Sequence, residues 1–161
     1  GRDDKLIKSW MEQLNTEGKY EVTDDIKKKI GDLFWAGCSD DEETMKTIGN
    51  CKKDFDYTID THTAVGKAVY DKYVAETGDE TKTVIASTAS PFKFNQSVLA
   101  ALAGNQAIVG KNEFELLDDL SERSGMTIPK SLSELKTKNR IFDLVCEKEQ
   151  MIDVVSEFLN M

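Results

Sequence analysis

Three hydroxyl side chains, Ser87, Thr88 and Ser90, crowd into the stretch Val84-Ile85-Ala86-Ser87-Thr88-Ala89-Ser90-Pro91-Phe92-Lys93-Phe94. Thr83-Val84-Ile85-Ala86 is a short β-branched run, the pattern of a buried strand. Pro91 suits the first turn of a helix. The hydroxyls therefore fall at an expected strand-to-helix corner. In open α/β sheets, ligands bind beyond the carboxyl ends of strands. Free N–H groups at a helix start favour a polar or anionic ligand in the same place. From the residues alone two readings stand. Thr88 or Ser90 caps the helix that opens at Pro91, or one of the hydroxyls touches a ligand.

Other chemistry is excluded by spacing. Ser87-Thr88-Ala89-Ser90 lacks the flanking glycines of a GxSxG nucleophile elbow. The Gly-Lys pairs at Gly66-Lys67 and Gly110-Lys111 lack the upstream glycine of a phosphate loop. Asp40-Asp41-Glu42-Glu43 lacks calcium-loop spacing and reads as a capped helix start. The sole histidine, His62, has no triad partner that the sequence names. One histidine and three scattered cysteines, Cys38, Cys51 and Cys146, make no zinc site, and no metal is expected.

Helices must position that corner. Leu6, Ile7, Trp10, Met11 and Leu14 form one stripe over Asp3 to Asn15. Thr23 is read as the cap of a second helix with acids at 24 and 25, its buried face Ile26, Ile30, Leu33 and Phe34, closed by Gly37. Ser39 to Glu42 opens a third, running through Met45 and Ile48 toward Gly49. Asp60 caps a fourth, which stops at Thr77-Gly78-Asp79. The helix after Pro91 carries Phe94, Val98, Leu99 and Leu102 and ends near Gly104. Asn112 to Ser124 is a capped helix ended by Gly125. Ser131 to Leu135 is read as a helical turn. Glu147 to Leu159 is read as a final helix with Met151, Ile152, Val155, Phe158 and Leu159 inward. Weaker strand candidates are Tyr20 to Val22, Tyr57 to Ile59 and Ala107 to Val109. A buried strand needs backbone partners, and so few candidates suggest a sheet whose other members lie in further chain or another molecule.

The chain has 161 residues, 39% hydrophobic and 32% charged, the balance of one globular domain. Its net charge of -9 argues against nucleic acid, whose phosphates call for clustered Lys and Arg. Lys27-Lys28-Lys29 directly follows Asp24-Asp25 and reads as a solvated helix face. No apolar run approaches the ~18 residues of a membrane span. Gly1-Arg2-Asp3-Asp4 is charged, is no secretory signal and lacks an initiator Met, which suggests a piece of something larger. The odd cysteine count without a CxxC points to free thiols and a cytoplasmic location.

Two motifs carry a resemblance. Asp60-Thr61-His62-Thr63-Ala64-Val65-Gly66, followed by Val84 to Phe94, closely resembles the C-terminal part of threonine synthases. The segment Arg2 to Gly18, with its Trp10-Met11, is similar as well. The likeness runs over most of the chain. It is strongest from Asp60 to Leu102 and weak after about Gly110. It implies a pyridoxal-phosphate enzyme of the tryptophan-synthase-β-like fold (fold type II). Residues 1–161 would then be one helix-rich α/β fragment, lending few strands to a mostly parallel sheet flanked by helices. The implied reaction converts O-phospho-L-homoserine and water to L-threonine and phosphate.

The resemblance also implies roles. Thr88 matches the residue whose hydroxyl meets the cofactor's pyridine nitrogen. Ser87 and Ala89 would line the turn, their small side chains leaving room for the ring. Lys93 would attract the substrate phosphate, or serve only as a surface lysine. Ser90, where many family members carry His, would also contact the substrate. His62 belongs to a helix-start motif, read as structural. The family's Schiff-base lysine and its glycine- and asparagine-rich phosphate cradle lie in the N-terminal half, the expected partner of this chain. Neither occurs here. Phe92-Lys93-Phe94 is not that lysine motif, because it follows Thr88 too closely. No catalytic residue is therefore assigned, and the fragment is expected to be inactive alone. Two alternatives stand beside this reading. One is a fragment of another fold type II enzyme, a dehydratase or sulfhydrylase. The other is a freestanding acidic helical module that binds proteins.

Overall fold

A computed structural model describes residues 2–141 and 143–159. Its core gathers around α5 (Asn95–Ala103), whose Val98 and Leu99 are fully buried. One side of α5 faces α3 (Asp41–Phe55) through Ile48, and the other faces α6 (Glu113–Ser124) through Leu117 and Leu120. α3 packs in turn on α4 (Thr61–Thr77), which contributes Ala64. Ile59, just before α4, and Phe92, just before α5, complete the cluster. Truncating Leu99 to Ala at such a site costs about 2–5 kcal/mol.

Local chemistry explains where these helices begin. Asn112 caps α6 through a reciprocal box. Its side chain accepts from the Glu115 N–H at 3.1 Å while Glu115 accepts from the Asn112 N–H at 2.8 Å. Asp40, rather than Ser39, caps α3 by accepting from the Glu43 N–H at 2.8 Å. Lys72 of α4 reaches across to Glu43 at 2.6 Å and to the Cys38 carbonyl at 2.7 Å. The lysine holds Glu43 below the usual carboxylate range and is itself pushed up by it.

The outer elements are α1 (Asp4–Glu17), capped by Asp3, α2 (Asp24–Gly31), the short α7 (Lys130–Ser133) and α8 (Met151–Phe158). Trp10 of α1 stacks on Tyr20, ring centroids 5.9 Å apart. Among the described residues no helix is long and apolar enough to cross a membrane.

The structure corrects several expectations. Among the described residues there is no strand, so the chain is helix-rich without a sheet of its own. Among the described residues the segment expected as a strand at Val84 to Ser87 has no backbone–backbone hydrogen bond, and Val84 is 90% exposed. Ile85 does pack, over Gly66 of α4. The weaker candidates fare no better, and residues 107 and 108 lie in a 3₁₀ turn (Asn105–Ile108). α2 ends at Gly31 instead of Gly37, because Gly is a poor helix former, and Leu33 and Phe34 lie beyond it, exposed. α3 runs through Gly49 to Phe55. The final helix is split into a 3₁₀ turn (Lys148–Gln150) and α8. All five apolar residues expected inward there are more than half exposed. Amphipathic spacing specifies a face but not what covers it.

Candidate functional site

Asp60 is a carboxylate with no solvent exposure. A buried carboxylate is costly unless donors surround it. The start of α4 supplies them. Asp60 Oδ1 accepts from the His62 N–H at 2.9 Å and the Thr63 N–H at 3.3 Å. Oδ2 takes a short hydrogen bond from the Thr63 hydroxyl and lies 3.5 Å from Ser87 Oγ. Thr63 Oγ1 is itself hydrogen-bonded to Ser87 Oγ at 2.9 Å. A hydroxyl has one proton to give. Thr63 and Ser87 thus share two protons among the three contacts that join them to each other and to Asp60 Oδ2. The corner is thereby tied to the N-terminus of α4.

Beyond Ser87 the chain turns. Ser90 Oγ accepts from the Phe92 N–H at 3.3 Å and caps a 3₁₀ turn, Pro91–Phe94, that leads into α5. Of the two candidate caps, Ser90 fills that role. Thr88 is exposed, and among the described residues its hydroxyl has no hydrogen-bond partner. Ala89 is half-buried beside it. Lys93 is exposed, with Nζ 5.5 Å from the centroid of the Phe94 ring. The His62 ring lies 4.9 Å from the same ring, and its Nδ1 is 3.7 Å from Asp60 Oδ1.

The residues singled out in the sequence thus separate into groups. Ser87 and His62 meet at Asp60, Lys93 shares Phe94 with His62, and Thr88 stands at the exposed tip. A cleft of about 380 Å³ opens where α3, α4 and α5 begin, with Ser39, Thr44, Thr61, His62 and Ser97 among its walls. The corner residues Ser87 to Ser90 do not line it.

A family model described as "Threonine synthase, C-terminal" matches residues 63–155, more than half of the chain. The chain belongs to the threonine synthase C-terminal family. It is 32% identical over 108 residues to the threonine synthase of Saccharomyces cerevisiae, covering 62% of this chain and 20% of that protein. It is 26% identical over 123 residues to the threonine synthase of Eremothecium gossypii, covering 73% and 23%. The chain therefore spans about a fifth of the length of these threonine synthase relatives. The matched region runs from Thr63 through the whole corner and into α8.

Sequence reasoning named Asp60 only as a cap and gave Thr63 no role. The spacing Asp-x-x-Thr puts a second acceptor-seeking hydroxyl at the third helical position, which is a usable local signal. Its link to Ser87 spans 24 residues and is visible only in the fold.

Proposed function

We propose that this chain is part of a threonine synthase that converts O-phospho-L-homoserine and water to L-threonine and phosphate with pyridoxal 5'-phosphate. The observation that carries the reading is Thr88: an exposed hydroxyl without a partner among the described residues, flanked by two anchored serines, at the position where the family resemblance puts the contact to the pyridine nitrogen. The residues present fit that group. A hydroxyl donates to an unprotonated ring nitrogen, whereas an ionised carboxylate only accepts.

When bound, the cofactor supplies an electron sink for negative charge at the substrate's α and β carbons. Thr88 would hold the ring nitrogen without adding charge, keeping that sink a mild one. Ser87 and Ala89 would line the turn with little bulk. Lys93 would draw the substrate's phosphate by charge. Ser90 already accepts from the Phe92 N–H, yet its own proton stays available to a phosphate oxygen. The lysine that bonds the cofactor and the phosphate cradle belong, in this reading, to the remaining part of the enzyme, which is the chain's partner. Residues 83–87 would join the mostly parallel sheet of a fold type II enzyme there. The fragment alone is inactive, and its compartment is the cytoplasm.

A chimera tests this. The matching C-terminal segment of the Saccharomyces cerevisiae enzyme is replaced by this chain and assayed with O-phosphohomoserine, serine and threonine. Threonine formation from the phosphate ester alone is expected. Thr88→Val should keep the cofactor bound but lose about fivefold or more in rate, since a buried unpaired acceptor costs about 1 kcal/mol or more. Unchanged turnover in that variant overturns the role of Thr88. The isolated chain, mixed with pyridoxal phosphate and borohydride, should yield no adduct at any single lysine. One specific adduct would show that the bonding lysine lies within this chain.

A further inference from the structure

An ordinary helix cap is exposed and satisfies its own helix. Asp60 does more, because it is fully buried and its acceptor set extends to a residue 27 positions on. The receiving stretch is otherwise loosely held. Residues 79–89 form no backbone–backbone hydrogen bond among the described residues. From residues 84–89, Ser87 makes the hydrogen bonds that reach another element, and they end on Thr63 and Asp60. A side chain that must hold a corner against free rotation of its backbone needs such a fixed, dry anchor.

We propose that Asp60 and Thr63 are positioning residues of the site. The buried carboxylate orients the Thr63 hydroxyl, that hydroxyl fixes Ser87, and Ser87 sets the direction in which the next residue, Thr88, presents its own hydroxyl. Neither residue touches the cofactor. The site role rests on the reading of Thr88 given above, whereas the fixing of Ser87 does not. Thr63→Val keeps the shape of the side chain and the Asp60 cap but removes the relay. Ser87→Ala cuts the relay from the other end at an exposed position.

The experiment has two arms. Backbone NMR order parameters are measured on the 161-residue chain for Ser87, Thr88 and Ala89. Values of about 0.85 are expected in the parent and in Thr63→Ser, which retains the hydroxyl. Values below about 0.6 are expected in Thr63→Val and in Ser87→Ala. Unmoved values at 87–89 in both variants, whatever happens to the melting temperature, overturn the proposal. In the chimera, Thr63→Val and Thr88→Val are combined in a cycle. If Thr63 acts through Thr88, the double variant loses no more rate than Thr88→Val alone, and additive losses overturn the proposal. A corner that loosens while Thr88→Val leaves the rate untouched would overturn the reading of Thr88 and the site role with it, leaving only the tether.

Discussion

Lys52 Nζ donates to the carbonyl oxygen of Ser124, 3.1 Å away and 72 residues further along the chain. Ser124 is the last residue of α6, and its carbonyl is one that the helix itself leaves unpaired. The same ammonium lies 2.6 Å from Asp56, which it holds below the usual carboxylate range. Lys52→Met keeps the aliphatic stem and strands the carbonyl, so a loss of about 1 kcal/mol is expected. Asp56→Asn removes only an exposed, solvent-screened ion pair and should shift the midpoint less. Urea midpoints of the two variants decide it, and equal shifts would place the weight on the surface pair instead.

Thr58 is buried, and among the described residues its hydroxyl has no hydrogen-bond partner. Val has the same shape without the unsatisfied oxygen. Thr58→Val is expected to gain about 1 kcal/mol. A melting temperature that falls would mean that the hydroxyl is paired.

Gly49 lies inside α3, where an added methyl carbon would meet the Ala101 carbonyl oxygen of α5 at 3.2 Å. Alanine is the better helix former by about 1 kcal/mol. A backbone carbonyl cannot swing aside, and overpacking of this kind costs about 1–3 kcal/mol. Gly49→Ala should therefore lose about 1 kcal/mol net. Gly31→Ala is the control, because nothing lies within 4 Å of its added carbon, and it should gain some tenths of that amount, about 0.5 kcal/mol. Thermal denaturation of both variants checks the contrast in sign.

Asp79 is held at about 2, from an ordinary 3.8, by the Thr81 side chain first and then by the Tyr73 hydroxyl, 2.6 Å from Oδ2. A depressed carboxylate stabilises the fold fully above its unfolded value and loses that contribution as pH falls through the folded one. The difference in stability between the parent and Tyr73→Phe should be constant above pH 3.8 and shrink toward pH 2. Stability curves measured across that window check it, and a difference that grows on acidification would contradict the assignment.

Legibility followed the range of each signal. Asp60 with Gly78 and Asn112 with Gly125 mark the ends of α4 and α6 by short-range chemistry, and the sequence placed both helices correctly. Gly49 misled because a glycine that stops a helix and one that lets two helices touch look alike in sequence. The run at Val84 read as a buried strand and is not one, because a strand is completed only by a neighbour outside the run. α8 showed a face and not its cover. At the site, Thr88 was singled out by family resemblance, and Ser90's capping was one of two open readings. The contact of Asp60 with Ser87 lay outside any local pattern, because it joins residues 27 positions apart.

The main chain from 84 to 89, unpaired among the described residues, also bears on how the isolated polypeptide behaves in a tube. A β-branched stretch with bare N–H and C=O groups is a template for edge-to-edge association. Lys82 beside it and the overall charge of -9 work against self-association by repulsion. Raising the ionic strength screens that repulsion, so concentrated preparations should clump in high salt before they unfold.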